Sequence, residues 1–303
     1  MSGLPAPPPP AAAGRRFSWL SAPRAIGAVG LANLLAYLPG ELSADAADQL
    51  AEARSGGVSD WHSPWLTVVW RQLLHVHDHP AGMLVLQLAM FWGGAMLLAH
   101  TLAAQGRQRA AWGVLGLCLF PPFWFYNHYI LKDTAFYSAM FLCAATWFAA
   151  LNAAPARRRL WVGAAVAMTL LALPIRINGA FAMAGLLVGL WVFTQARRTW
   201  VLLPALLVVS AALVLGVRAF NTGVLRAGPS DVMQSLQIHD LMGVQHFSRD
   251  TGVWGPYALG MDEVDRCYTP YFWDTLSPTG LCAGLRQHLG APDGRFFKIG
   301  RAH

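Results

Sequence analysis

From Ala81 to Ala104 the chain carries no Asp, Glu, Lys or Arg. As a helix, that stretch would be about 36 Å long, more than the roughly 30 Å hydrocarbon core of a bilayer. A helix apolar on every side has no face to offer water, so it is buried in protein or in lipid. The pattern recurs. Apolar runs cover 19–38, 81–104, 110–126, 134–152, 160–175, 179–194 and 200–217, and each reads as a spanning helix. The shorter runs need tilt or local thinning of the bilayer. Only 12% of residues are charged, against about 25% in a soluble domain. The fold class that follows is an all-α polytopic membrane protein of seven transmembrane helices.

The formal net charge of +7 would suit nucleic acid, but the basic residues form no single face or tail. They fall in short clusters between apolar runs, the distribution of a multi-pass membrane protein, so nucleic acid is not an expected partner. One set of loops holds Arg15, Arg16, Arg24, Arg107, Arg109, Arg157, Arg158, Arg159, Arg197 and Arg198. The short loops opposite hold Arg54, Arg71, Lys132 and Arg176. The richer side should be cytoplasmic. All 15 acidic residues fall on the other side. This predicts a cytoplasmic N-terminus, a proline- and alanine-rich disordered tail over 1–18, a bundle over 19–217 and an outer segment over 218–303. The chain ends "FFKIGRAH" without a cap or polar tail, which reads as a truncated product.

Two outer stretches are long, 39–80 and 218–303. Within the first, Ser43 is placed to cap a short helix on which Asp45, Asp48 and Glu52 share one face. A solvated amphipathic helix explains that face, and so does a carboxylate poised toward a substrate or metal. Further on, Ser63 and Pro64 open a helix with an apolar stripe of Leu66, Val69, Trp70, Leu73 and Leu74. Thr67, Arg71, Gln72 and His75 lie off that stripe. The helix is too short to span and should lie in the interface plane with its tryptophans at headgroup depth. Asp60 and His62 precede it.

"HVHDH" offers His75, His77, Asp78 and His79 to a divalent ion such as zinc. Adjacent ligands converge poorly on one metal, so a polar turn is the plainer reading. Lys132 and Asp133 stand at one rim of the bundle, and Arg176 and Asn178 at another short turn. Charges at that depth are costly. Either Lys132 pairs with Asp133 and Arg176 anchors a turn, or the two cations are set for a phosphate. Cys118 and Cys143 read as apolar packers, whereas Cys267 and Cys282 lie in the outer segment and are expected to pair. No P-loop, GxSxG, HExxH or dinucleotide glycine pattern occurs.

Five stretches carry a resemblance: "LPGELSADAADQ", "SDWHSPWLTVVW", "LKDTAFY", "RINGAF" and "QIHDLMGVQ". Together they resemble a group of bacterial polytopic membrane proteins that is itself similar to GT-C-type glycosyltransferases. Those are relatives of the dolichyl-phosphate-mannose protein mannosyltransferases and the lipid A aminoarabinose transferases. Two departures stand out. Ser63 replaces the second proline of a "DWHPP" motif, and the family has further spans after its large outer segment.

The resemblance implies an inverting transferase of a bacterial inner membrane, drawing on a lipid-linked sugar donor at the outer face. It implies Asp45 or Asp48 as base, Asp60 and His62 shaping the site, and Lys132 and Arg176 on the carrier phosphate. A divalent metal assists in some relatives. A transporter or flippase component for lipid-linked glycans is the competing reading, though its polar groups should sit at mid-depth. A non-catalytic assembly factor or inactive fragment is the third.

Overall fold

The computed structural model describes residues 21–195, 202–230, 232–257, 259–272, 274–276, 280–282 and 284–285. The expected tail over 1–18 lies outside them. Apart from two strands of two residues each, the regular structure among the described residues is helical. Four helices are long and apolar enough to cross a membrane: Ala81–Ala104, Lys132–Leu151, Pro155–Ile175 and Leu202–Val224. Gly179–Trp191 is a shorter apolar helix.

The chain opens with α1 (Ala22–Tyr37), β1 (Glu41–Leu42), α2 (Ala44–Ser55) and α3 (Pro64–Val76). It continues through α4 (Ala81–Ala104), α5 (Gln108–Cys118), α6 (Pro121–Tyr126) and β2 (Tyr129–Ile130). Then come α7 (Lys132–Leu151), α8 (Pro155–Ala172), α9 (Gly179–Gln195) and α10 (Leu202–Ala219). Helices α11 (Val232–Ser248) and α12 (Met261–Cys267) follow. Helices α4 and α7 form the centre and run parallel, Gln87 lying by Tyr129, Phe91 by Tyr137 and Gly94 by Leu142, with α1 and α5 against α4 and α8 against α7. Helices α9 and α10 pair beside them.

Small residues set the central crossing. A Cβ on Gly94 would stand 3.0 Å from the Leu142 backbone. Ala95, Ala135, Ala139 and Cys143 are fully buried around it. In a lipid phase close backbone approach drives helix association, which explains why these positions are small. A polar clamp adds to it: Trp92 donates its indole N–H to Asn33 Oδ1 at 3.1 Å, joining α4 to α1.

The run over 110–126, expected as one span, is two helices. Phe120 is extended at φ −58°, ψ 128°, and Pro121 and Pro122 start α6. A proline disfavours helical backbone at the residue before it and lacks an N–H to continue the ladder. Helix α5 is therefore only 11 residues, about 17 Å.

Helix α3 forms where expected, and its apolar stripe finds partners in protein. Trp70 and Thr67, at 1% and 0% exposure, belong to the core. Helix α3 packs on α2, on α4 and on the turn after α8, so its burial is in protein. Both serine caps form as expected: Ser43 Oγ accepts the N–H of Ala46 and Ser63 Oγ that of Leu66, each at 3.2 Å.

A second core of Ile238, Met242, Trp254, Val264 and Leu276 builds the C-terminal segment. Cys267 and Cys282 are joined there in a disulfide, with a Cα–Cα distance of 5.9 Å.

Candidate functional site

The loops expected on one side of the bundle meet at one end of it. Strand β1 runs parallel to β2, pairing Glu41 with Tyr129 and Leu42 with Ile130. That contact ties the first long loop to the start of α7. Ser63 Oγ donates to the Pro174 carbonyl at 3.1 Å, and the Trp65 indole to Leu171 at 3.0 Å, tying the same loop to the end of α8. Val58 and Asp60 exchange backbone hydrogen bonds with Gly228, which brings in the segment after α10.

Within this junction Lys132 Nζ donates to Asp45 Oδ2 at 2.6 Å. Asp45 lies in the first turn of α2, where the helix dipole favours a carboxylate. Lys132 opens α7, where the dipole disfavours a cation, so Asp45 also offsets that cost. The next residue, Asp133, pairs with Arg176. The local alternative, Lys132 with Asp133, is therefore replaced by two long-range pairs. They join α7 to α2 on one side and to the turn before α9 on the other. The Lys132 and Asp45 side chains stay 27% and 43% exposed, so both can be reached.

His62 sits at 7% exposure, and neither ring nitrogen has a hydrogen-bond partner among the described residues. Burial pushes its pKa down to about 4; Asp45 pulls it up and Lys132 pushes it further down. The imidazole is thus neutral near neutral pH and within electrostatic reach of the Asp45–Lys132 pair.

Other expected residues are differently engaged. Asp60 Oδ1 accepts the Ser230 N–H at 2.6 Å and also the Ser230 hydroxyl. It clasps the C-terminal segment to the first loop. Asp48 lies half-buried one turn beyond Asp45. Glu52 accepts the Ser59 N–H and, at 3.3 Å, the Thr67 hydroxyl. Gln49 donates to Thr67 Oγ1 at 3.1 Å, so this part of α2 is fixed to α3.

The "HVHDH" side chains share no focus. His79 Nδ1 accepts the Ala81 N–H at 3.1 Å, its ring stacks on His77 at 5.9 Å, and Asp78 pairs with Arg54 at 2.9 Å. His75 ends α3. Among the described residues no group of three or more His, Cys, Asp or Glu could hold a metal ion. The donor set as placed does not fit a divalent ion.

The Ser230 clasp and the Gln49–Thr67 link have no motif signature, because both depend on partners distant in sequence. Asp60 and His62 were candidates in the sequence, but the bond of Asp60 to Ser230 was not legible there. Comparison of the chain with protein-family models, curated proteins and solved structures finds no significant match.

Proposed function

We propose that this junction transfers a sugar from a polyprenyl-phosphate carrier to an acceptor hydroxyl, with inversion, in a GT-C-like bundle crossing the membrane seven times. In this reading α5 and α6 together make one crossing in two pieces. The long loops face outward from a bacterial inner membrane. The observation that carries the proposal is the Asp45–Lys132 ion pair, half-exposed at the bundle end beside a buried neutral histidine.

The chemistry follows from the groups present. Asp45 accepts the proton of the acceptor hydroxyl as its oxygen attacks the anomeric carbon. The bond from that carbon to the phosphate oxygen breaks, and the carrier phosphate leaves with the electron pair. Negative charge then grows on the phosphate. Lys132 and Arg176 stabilise it there, exchanging their carboxylate partners for phosphate oxygens. Release of Lys132 leaves Asp45 without its cation, which raises its basicity at the moment a base is needed. Neutral His62, buried beside the pair, adds no charge to the site. Asp60 acts on position, by holding the loop through Ser230. Asp48 is the second carboxylate in line.

The test is single replacement of Asp45, Asp48 and Asp60 by Asn, with surface glycan assayed in the host. Losing a general base costs about 10²- to 10⁴-fold. Asp45→Asn should fall in that range and Asp60→Asn by less. Full transfer by all three variants would remove the proposal's basis.

A further inference from the structure

The break at Phe120–Pro121 leaves a gap in the bundle wall. A cavity of about 170 Å³ lies there, lined by Phe91 of α4, Leu117 and Cys118 of α5, Phe123 of α6, and Tyr137 and Phe141 of α7. Its walls are carbon apart from one thiol and one phenol. The Tyr137 hydroxyl is committed to Asn127 Oδ1 at 2.6 Å. An apolar cavity of about 150 Å³ stays dry and takes a small hydrocarbon. Water is therefore a poor occupant and a hydrocarbon a good one.

The mouth faces sideways. Leu117 in its lining is 57% exposed, and Phe120, 6.1 Å from the lining ring of Phe123, is 53% exposed. The depth is set by α7, which begins at Lys132. Tyr137 and Phe141 lie five and nine residues further, about 8 and 14 Å along the axis. That range falls within one leaflet's share of a roughly 30 Å hydrocarbon core. A sideways apolar opening at that depth meets acyl chains at very high local concentration.

We propose that this cavity is a binding site for one acyl chain of a bilayer phospholipid. Nothing in this assignment depends on the sugar-transfer reading. The bound chain braces the junction above it. Tyr137 forms one wall and holds Asn127. Gln87 Nε2 on α4 holds the Tyr129 carbonyl of β2 at 2.8 Å, and β2 leads into Lys132. An occupied cavity thus supports the strand that positions the Asp45–Lys132 pair.

The test uses the full chain in phosphatidylcholine bilayers with a photoreactive diazirine in one acyl chain. Labelled peptides are mapped after irradiation. Label should concentrate several-fold on 117–123 and 137–141 over the lipid-exposed 203–208 of α10. Uniform labelling of these segments would overturn the site. Cys118→Phe fills the cavity, and it should lower label on 137–141 several-fold while 203–208 is unchanged. Unaltered label on 137–141 in that variant would also overturn the site. A polyprenyl phosphate that displaces the label would overturn the choice of occupant and assign the cavity to the donor chain.

Discussion

His62 concentrates the electrostatics of the junction in one side chain. An unfolded histidine titrates at 6.5, and here burial holds the pKa near 4. Below pH 6.5 the unfolded chain takes up a proton that the folded chain refuses. Stability is therefore intact above pH 6.5 and lost progressively toward pH 4, roughly 3 kcal/mol in all. Thermal unfolding in detergent at pH 7 and pH 5 checks this. The wild type should lose more on acidification than His62→Gln; an equal loss would show that other groups carry the acid sensitivity.

A second expectation at this scale concerns packing. A Cβ on Gly30 would lie 2.7 Å from Trp92 Cγ, whereas one on Gly93 would meet nothing within 4 Å. Gly30→Ala should cost about 1–3 kcal/mol by overpacking. Gly93→Ala should be neutral or stabilising by up to ~1 kcal/mol. Comparing the two melting temperatures decides it. Asp45, Lys132, His62 and Arg176 were legible in the sequence because isolated polar residues stand out in an oily chain. Which acid meets which cation was not. Adjacent Lys132 and Asp133 looked like partners, but side chains at neighbouring helical positions point apart.

Among the elements, the helix starts at Ser43 and Ser63 were readable because a serine cap is a local signal. The break before Pro121 was equally local, yet the apolar run across it masked it. The stripe of α3 implies burial but does not say in what. Lipid interface and protein core favour the same leucines, and only the polar partners of Thr67 reveal a protein neighbour. The clasp between Asp60 and Ser230 joins loops 170 residues apart, with no periodicity to announce it. Replacing Asp60 by Ala should leave the bundle folded and loosen the C-terminal segment. Limited proteolysis should then cut after 218 several-fold faster than in wild type. An unchanged cleavage rate would mean the backbone bonds to Gly228 suffice.

Over the whole molecule, separate loops gather at one end of a helical bundle. Charge bias grouped them in the sequence, and the β1–β2 pairing, the Asp45–Lys132 bridge and the Asp133–Arg176 bridge bind them in space. Helical class and the four longest spans followed from apolar length alone. The core of the C-terminal segment did not, because it is built from short helices and a disulfide with weak periodicity. The central claim is chemical, and reconstituted protein tests it most directly. Full-length chain in liposomes is supplied with a polyprenyl-phosphate-linked sugar and an acceptor alcohol, and free polyprenyl phosphate is measured over time. Release by the wild type that falls at least ~10²-fold in Asp45→Asn is the expected result. Release by Asp45→Asn at the wild-type rate, or none from the wild type with any such donor, would contradict the account.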